Sequence, residues 1–497
     1  MGLISTIKGW IRGMFASNET LKEAFGVEIA LSPAMQAKQA EWRSIAGGDA
    51  PWNDKDTPSQ RLAALVSQEV ASMAAYGSHS EVIAIEESAR DKTRNPNPAT
   101  NPRAEYINTA YQQAIDDLIN AIAACSNGGE IIYKPSLADD GAVIALCETD
   151  FYWPIAYNSR GNLIKVVFGA TASRGEYIYK LLELHEFDKP TNTHAISYRA
   201  FRAKENKSAW NPQELGEPAN VADVPEWANL QDVTITRIER PLFVHVRMPM
   251  YDFIERPQLQ GMPIWSKASQ ALKDADVHSA RMRRNMKDTE LALVINADKY
   301  ISTGGKAAKP GRNGLPDIPA SRGKLELPDG DGRKFIALQG ADTFATDVFN
   351  PPTKVEEYLI YMNTVERNIE RLSNLSSGTI ADLNTQAKTA EEFKKTHRKT
   401  ITTIGTIQTK VFQPALEHLA YSLDMLADIQ RIPPGGYEVI FDWDDSYATD
   451  RAAEFKERLE AQRNGILFPQ ENRGWWYGVR ADDPIAQDVP GLSDEFN

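Results

Sequence analysis

Four aspartates in the stretch IFDWDDSYATDR, Asp442, Asp444, Asp445 and Asp450, are the residues best suited by type and spacing to do chemistry. Carboxylates this close could share a divalent metal, and a metal-activated water would make the chain a nuclease or phosphotransferase. The same residues also suit the entrance to a helix. A carboxylate at a helix N-terminus accepts backbone N–H bonds and complements the positive end of the dipole. Tyr437, Val439 and Phe441 alternate and predict a short strand; the residues after it predict turn, cap and helix, with Ala453, Phe455, Leu459 and Gln462 following and Gly465 as the stop. Asp445 and Asp450 are then entry caps. A two-metal site would need convergent ligands from elsewhere, and the neighbouring sequence supplies no obvious base or histidine. The expectation is a structural role, with no catalytic residue, no metal and no cofactor. A metal-dependent nuclease using the four aspartates is the alternative.

Other catalytic patterns are missing. The Gly-x-x-x-x-Gly-Lys-Ser/Thr phosphate loop does not occur, because TGGKAAKPG has neither Ser nor Thr after Lys306. His185 and Glu186 are followed by FDK and cannot begin a His-Glu-x-x-His zinc helix. None of the 7 histidines sits in a nucleophile elbow or beside the 2 cysteines, Cys125 and Cys147, which are expected to be buried thiols in a reducing interior. With 68 acidic against 55 basic residues the net charge is -13, which excludes a general-purpose coat for nucleic acid. Any DNA contact has to be local or weak. Arg281, Arg283, Arg284 and Lys287 fall on a predicted helix, where Arg281 and Arg284 share a face with Asp288 and Arg283 with Lys287. They suit ion pairs between subunits, or contact with DNA. Lys306, Lys309 and Arg312 are expected to be exposed.

The elements that must position these residues change character along the chain. The start, MGLISTIKGWIRGMF, sets Leu3, Ile4, Ile7, Trp10, Ile11, Met14 and Phe15 at helical spacing, an amphipathic face expected to dock on a protein neighbour. It also fits the short myristoylation pattern through Gly2 and Thr6, but no apolar run of 18 residues occurs, so no membrane-spanning helix is expected. Helices are predicted over 57–76, begun by Thr57 and Pro58, and over 104–127, stopped by Asn127-Gly128-Gly129. From Glu130 to about residue 250 the period is two, an antiparallel β-rich module, with a loop over 208–230 that could shelter a sheet edge. A long helix follows over 266–294, with Ala268, Leu272, Ala275, Ser279, Met282 and Met286 as a seam of small and flexible residues at heptad-like spacing. A Gly/Pro-rich insert separates it from a helix with Val355, Leu359, Met362, Val365, Ile369, Leu372 and Leu375 on one face. After a small polar run comes a final rod over 389–428, which Gly405 and Pro414 should kink near 405–414. Such rods imply an elongated molecule that packs sideways.

In that order, and with the pieces FYWPIAYNSRGNLIKVVF, YIYKLLELHEF, RPLFVHVRMP, IWSKASQALKDADVHSARMRRNM and FDWDDSYATDR, the chain resembles the portal proteins (head–tail connectors) of tailed double-stranded DNA phages. The nearest branch is that of long-tailed phages and prophages of Gram-positive hosts. The resemblance implies an α+β portal fold and a homo-oligomeric ring, of about twelve subunits by the family's habit, at one capsid vertex of the virion, assembled in the host cytoplasm. Terminase large subunit, a head-completion or adaptor protein, and major capsid and scaffolding protein are the implied partners. Double-stranded DNA would pass through the channel without sequence specificity. By that resemblance residues 1–262 are the wing, 263–294 a stem helix, 295–350 the clip, 351–375 the second stem helix, 376–388 the tunnel loop, 389–445 the kinked helix with a return strand to the wing, and 446–497 the crown. Ser376, Ser377, Thr379, Asn384, Thr385, Gln386 and Lys388 would then line the DNA channel, and Lys306, Lys309 and Arg312 would meet terminase or the adaptor. A neutral polar loop suits a wall along which DNA must slide, since each phosphate contact adds salt-dependent affinity. One departure is that AKTAEEF stands where relatives often carry Thr-Ala-Thr-Glu.

Overall fold

The computed structural model describes residues 17–85, 101–138, 141–204, 216–251, 254, 259–289, 292–296, 334–338, 346–349, 352, 354–381, 390–443 and 451–477. The chain is mixed helix and sheet and divides into two units, one of residues 1–51, 61–269 and 367–497, the other of 52–60 and 270–366.

In the first unit, α1 (Asn18–Phe25) and α2 (Pro33–Gly47) begin at Ser17 and Ser32, whose hydroxyls accept from Thr20 and Met35 N–H. α3 (Leu62–Ala75) starts five residues later than Thr57-Pro58 predicted. Thr57 is already engaged: its N–H donates to Asp54 Oδ1 at 2.7 Å and its carbonyl accepts from Asn53 Nδ2 at 3.0 Å. The helix predicted over 104–127 is two, α4 (Pro102–Asp116) and α5 (Leu118–Gly128). The chain turns at Asp117, whose carboxylate accepts from Asn120 Nδ2 at 2.6 Å. Gly129 is the left-handed stop at φ 89°. It has a second constraint: a Cβ there would sit 2.7 Å from the Gly261 carbonyl oxygen, so two backbones cross where neither can carry a side chain.

The period-two region forms antiparallel sheets. β2 (Glu130–Ala138) lies between β10 (Val244–Arg247) and β3 (Gly141–Glu148). β4 (Tyr152–Tyr157), β5 (Leu163–Arg174), β6 (Tyr177–Asp188), β7 (Thr193–Lys204) and β8 (Glu217–Ala219) follow in order, and β9 (Val233–Thr236) also pairs with β7. Alternate residues of β5 serve opposite faces, with Val167 packed with Leu21 of α1 and with Leu182, and Val166 and Phe168 packed with Ile132 and Phe243. In the stretch expected to shelter an edge, β8 extends the sheet and Trp227 packs with Tyr179 and Leu181.

The last rod runs unbroken as α8 (Ala390–Thr406), a π-helical turn (Ile407–Phe412) and α9 (Gln413–Ile429). The departure from regular helix falls where Gly405 and Pro414 predicted a kink. Pro414 offers no N–H and crowds the preceding turn, and a wider π turn relieves both. Arg103 of α4 holds the far end. Its guanidinium, almost wholly buried, donates to Asp424 Oδ1 (2.5 Å), the Asp424 carbonyl (2.7 Å), Asp428 Oδ1 (2.6 Å) and the Ile432 carbonyl (3.0 Å). β14 (Tyr437–Asp442) then pairs antiparallel with β1 (His79–Ala84). α10 (Arg451–Arg463) stops at Gly465 (φ 71°) as its sequence predicted, and α11 (Pro469–Tyr477) follows.

The second unit holds α6 (Ser269–Asp288) from Gln270 onward, and its helix is shorter than the predicted 266–294. Residues 292–294 instead open β11 (Ala292–Asn296), parallel to β12 (Lys334–Leu338) and antiparallel to β13 (Thr346–Phe349). ALVIN, apolar and β-branched, fits a pleated ladder better than a helix end. Residues 52–60 strap onto α6 through Asp276. This buried carboxylate accepts from Gln60 N–H (2.6 Å), Trp52 Nε1 (2.9 Å) and Asn53 Nδ2 (3.0 Å). Along the predicted seam Ala268, Leu272, Ala275 and Ser279 are buried, and Met286 is exposed. α7 (Val355–Leu372) likewise buries Val365 and Ile369 but leaves Leu359 exposed.

Candidate functional site

Of the four aspartates, Asp442 is the exposed last residue of β14, opposite His79. Asp444, Asp445 and Asp450 lie outside the described residues, as do Asn384, Thr385, Gln386, Lys388, Lys306, Lys309 and Arg312. Among the described residues no group of three or more His, Cys, Asp or Glu could hold a metal ion. Arg281, Arg283, Arg284 and Lys287 are all exposed on α6, and Arg283 Nε reaches the Ser279 carbonyl at 3.5 Å.

The polar run after α7 is built differently from a neutral lining. Ser376 is buried, and its backbone N–H donates to Thr400 Oγ1 at 2.8 Å while its hydroxyl accepts from Thr400 N–H at 3.2 Å. Thr379 is half-buried and bonds the Ser376 carbonyl (2.8 Å) and the Thr400 hydroxyl (3.1 Å). Of these three expected channel residues only Ser377 is exposed. The hydroxyls of Ser376 and Thr379 clasp α7's exit to α8, because a buried hydroxyl must find partners. Beneath them lies Glu370, fully buried, whose carboxylate accepts from Gly378 N–H (3.1 Å), Ile380 N–H (2.6 Å) and Ala381 N–H (2.8 Å). Thr403 Oγ1 completes the clasp at the Asn374 carbonyl (2.9 Å).

Beside this clasp opens a cleft of about 800 Å³ between the end of α7 and α8, with Arg367, Arg371, Arg398 and Lys399 around it and Asn374, Ser377 and Thr402 as neutral donors. Arg371 is oriented by Asn368 Oδ1 at 3.3 Å. No carboxylate among the described residues lines it. Such a cleft can hold oxyanions through charge-assisted hydrogen bonds. The sequence carries a signal for it that motif search passes over: ERNIERL places Arg367 and Arg371 one turn apart, and HRKTITT places Thr402 and Thr403 one turn after Arg398 and Lys399.

Two buried polar groups lie in the β-rich module. Leu242 N–H reaches His194 Nδ1 (3.4 Å), His194 Nε2 meets His185 Nδ1 (3.0 Å), and His185 Nε2 meets Glu183 Oε1 (2.8 Å); Lys134 Nζ donates to Glu183 Oε2 (2.5 Å). Read in order, each imidazole is neutral with its proton on Nε2, a tautomer assigned from the bonds. Burial holds both histidines below their usual pKa, His194 at about 2 with His185 as a further cause. Glu130, also buried, accepts from Tyr152 OH (2.9 Å), Gly261 N–H (3.0 Å) and His245 Nε2 (3.0 Å). Burial alone would raise the Glu130 carboxyl, but His245 and these bonds bring it below its usual value. Cys125 and Cys147 are buried free thiols, as expected, and burial pushes the Cys147 thiol up to about 12. The bonds of these two groups hold strands and loop of the module to one another.

Among the described residues no helix is long and apolar enough to cross a membrane. No family model matches the sequence, and no curated protein does. A solved structure described as the neck of a native GTA particle computed with C12 symmetry aligns over 93% of this chain and 99% of that one, at 13% identity and a TM-score of 0.39. That overlap is too loose to carry an argument.

Proposed function

We propose that the chain is a phage portal subunit, a head–tail connector that forms a ring at one capsid vertex, passes DNA in packaging and ejection, and docks terminase and then head-completion or tail proteins. The branch is that of long-tailed phages and prophages of Gram-positive hosts. The reading rests on the ordered sequence resemblance. The observation that supports it best is the path of the chain after residue 390, where a long helix carries a π turn ahead of Pro414 and then returns through β14 to pair with β1. That path is what a kinked helix with a return strand to an N-terminal wing requires. The three-stranded sheet of β11, β12 and β13 between α6 and α7 suits a clip. The subunit is proposed to be no enzyme, and no observation among the described residues favours the nuclease alternative.

The test is the mass of the purified protein in solution with negative-stain imaging of the same sample. Closed rings of about a dozen subunits with a central hole are expected, since a head-to-tail contact repeated by rotation closes when its angle permits. A monomer that cuts DNA with magnesium, and loses the activity on Asp445→Ala, would replace the connector reading with the nuclease.

A further inference from the structure

We infer that the cleft between α7 and α8 seats the phosphodiester backbone of nucleic acid. The inference rests on the connector reading only for the presence of DNA; the site itself is argued from its residues. Arg367, Arg371, Arg398 and Lys399 come from two helices and converge on one opening, in a chain whose acidic residues outnumber its basic ones by 68 to 55. The acidic residue of α7 closest to the clasp, Glu370, is buried, engaged by backbone amides, and does not line the opening.

The neutral members fit the same ligand. Cations supplemented by hydroxyl and amide donors, which Thr402, Ser377 and Asn374 supply, are the usual donors to phosphate oxygens. Spacing agrees as well. Arg367 and Arg371 stand about 6 Å apart along α7 at 1.5 Å per residue, close to two steps of one duplex strand at about 3.4 Å each. A pair of successive arginines can therefore follow one strand. The hydroxyls of Ser376 and Thr379 are turned inward to Thr400 and the loop backbone, so phosphate binding belongs to the root of the loop.

The test uses the full chain and a short fluorescent DNA duplex, titrated from about 50 to 200 mM salt, a range over which binding to phosphates weakens steeply. Three proteins are compared: the natural chain, Arg398→Gln with Lys399→Gln, and Arg160→Gln as a control at an exposed turn on β4–β5. The mass of the assembly in solution is measured on each sample. The expected result is weaker duplex binding by the double variant, its log–log salt slope shallower by about 0.9 for each phosphate no longer neutralised, with the control unchanged. Adding Arg371→Gln should reduce the slope further. Unchanged binding and slope in both cleft variants would overturn the inference. So would variants that alter only the assembly mass, which would assign the cleft to carboxylates of a second copy. Rings that bind no duplex overturn the inference and leave the connector reading standing. A duplex response confined to the cleft variants in a protein that forms no rings upholds the inference and counts against that reading.

Discussion

Glu370 sets the conformation of the chain leaving α7, because one buried carboxylate takes three backbone N–H groups from residues 378–381. Glu370→Ala leaves these three donors without an acceptor and is expected to cost about 3 kcal/mol or more, given about 1–3 kcal/mol per unsatisfied buried group. Glu370→Gln keeps one acceptor oxygen and should cost less. Urea titrations of both variants decide it, and equal losses would show that a single neutral acceptor oxygen recovers nothing and that the full carboxylate is required. None of this was legible beforehand. In the sequence Glu370 is one polar residue beside the apolar Ile369, and its burial depends on where residues 378–381 return. The cations of the cleft were equally visible as letters, but Arg367 and Arg398 are brought together only by the turn between two helices. For Ser376 and Thr379 the limit is the same: a hydroxyl in sequence does not say whether it faces water or Thr400.

At the scale of elements the sequence was more informative, since period two and period 3.6 are local properties. The β-rich module, the stop at Gly129 and the break ahead of Pro414 follow from residues close in sequence. Residues 292–294 went astray because an apolar β-branched run suits helix or strand, and the partner that decides, β12, lies some forty residues on. The π turn makes a sharp prediction. It already holds one residue more than a regular helix would, so a further alanine inserted after exposed Lys410 should turn α9 by about 100° and move Leu416, Leu419 and Leu423 out of the core. The expected outcome is loss of the cooperative thermal transition, and a natural melting curve would refute it. Two buried histidines, one on β7 and one on α9, make another. Burial, with His185 as neighbour, holds His194 at about 2; burial and Arg240 hold His418 at about 4 against the opposing bond to the Pro241 carbonyl. The unfolded chain takes up protons at both below about pH 6.5 while the fold does not. Unfolding therefore binds protons, and stability falls as pH drops from about 6.5 toward 4, at roughly 1.4 kcal/mol per pH unit for each histidine that stays neutral. Melting temperatures at neutral and mildly acidic pH check this. A His194→Gln, His418→Gln double variant should lose much of the dependence.

At the scale of the whole molecule, the order of elements was readable and the division into units was not. Residues 52–60 belong with 270–366 because Asp276 draws them there, and no local pattern marks that choice. A chain predicted to form a helix from Thr57 is diverted by a carboxylate 216 residues beyond Gln60. Residues 270–366 expressed alone are therefore expected to fold poorly, and a peptide of residues 52–60 should improve their thermal stability. No change on adding the peptide would show that the strap is incidental.

That strap also sets a clock. During synthesis, Trp52, Asn53 and Gln60 emerge long before Asp276 exists, and at about 5–20 residues per second the ribosome needs roughly 10 to 40 s to deliver it. For that interval the intervening β-rich module can complete its own hairpins while residues 52–60 wait. The nascent chain thus has its second unit closed by its own early residues, and a chaperone that held or hid them would decide when that closure happens.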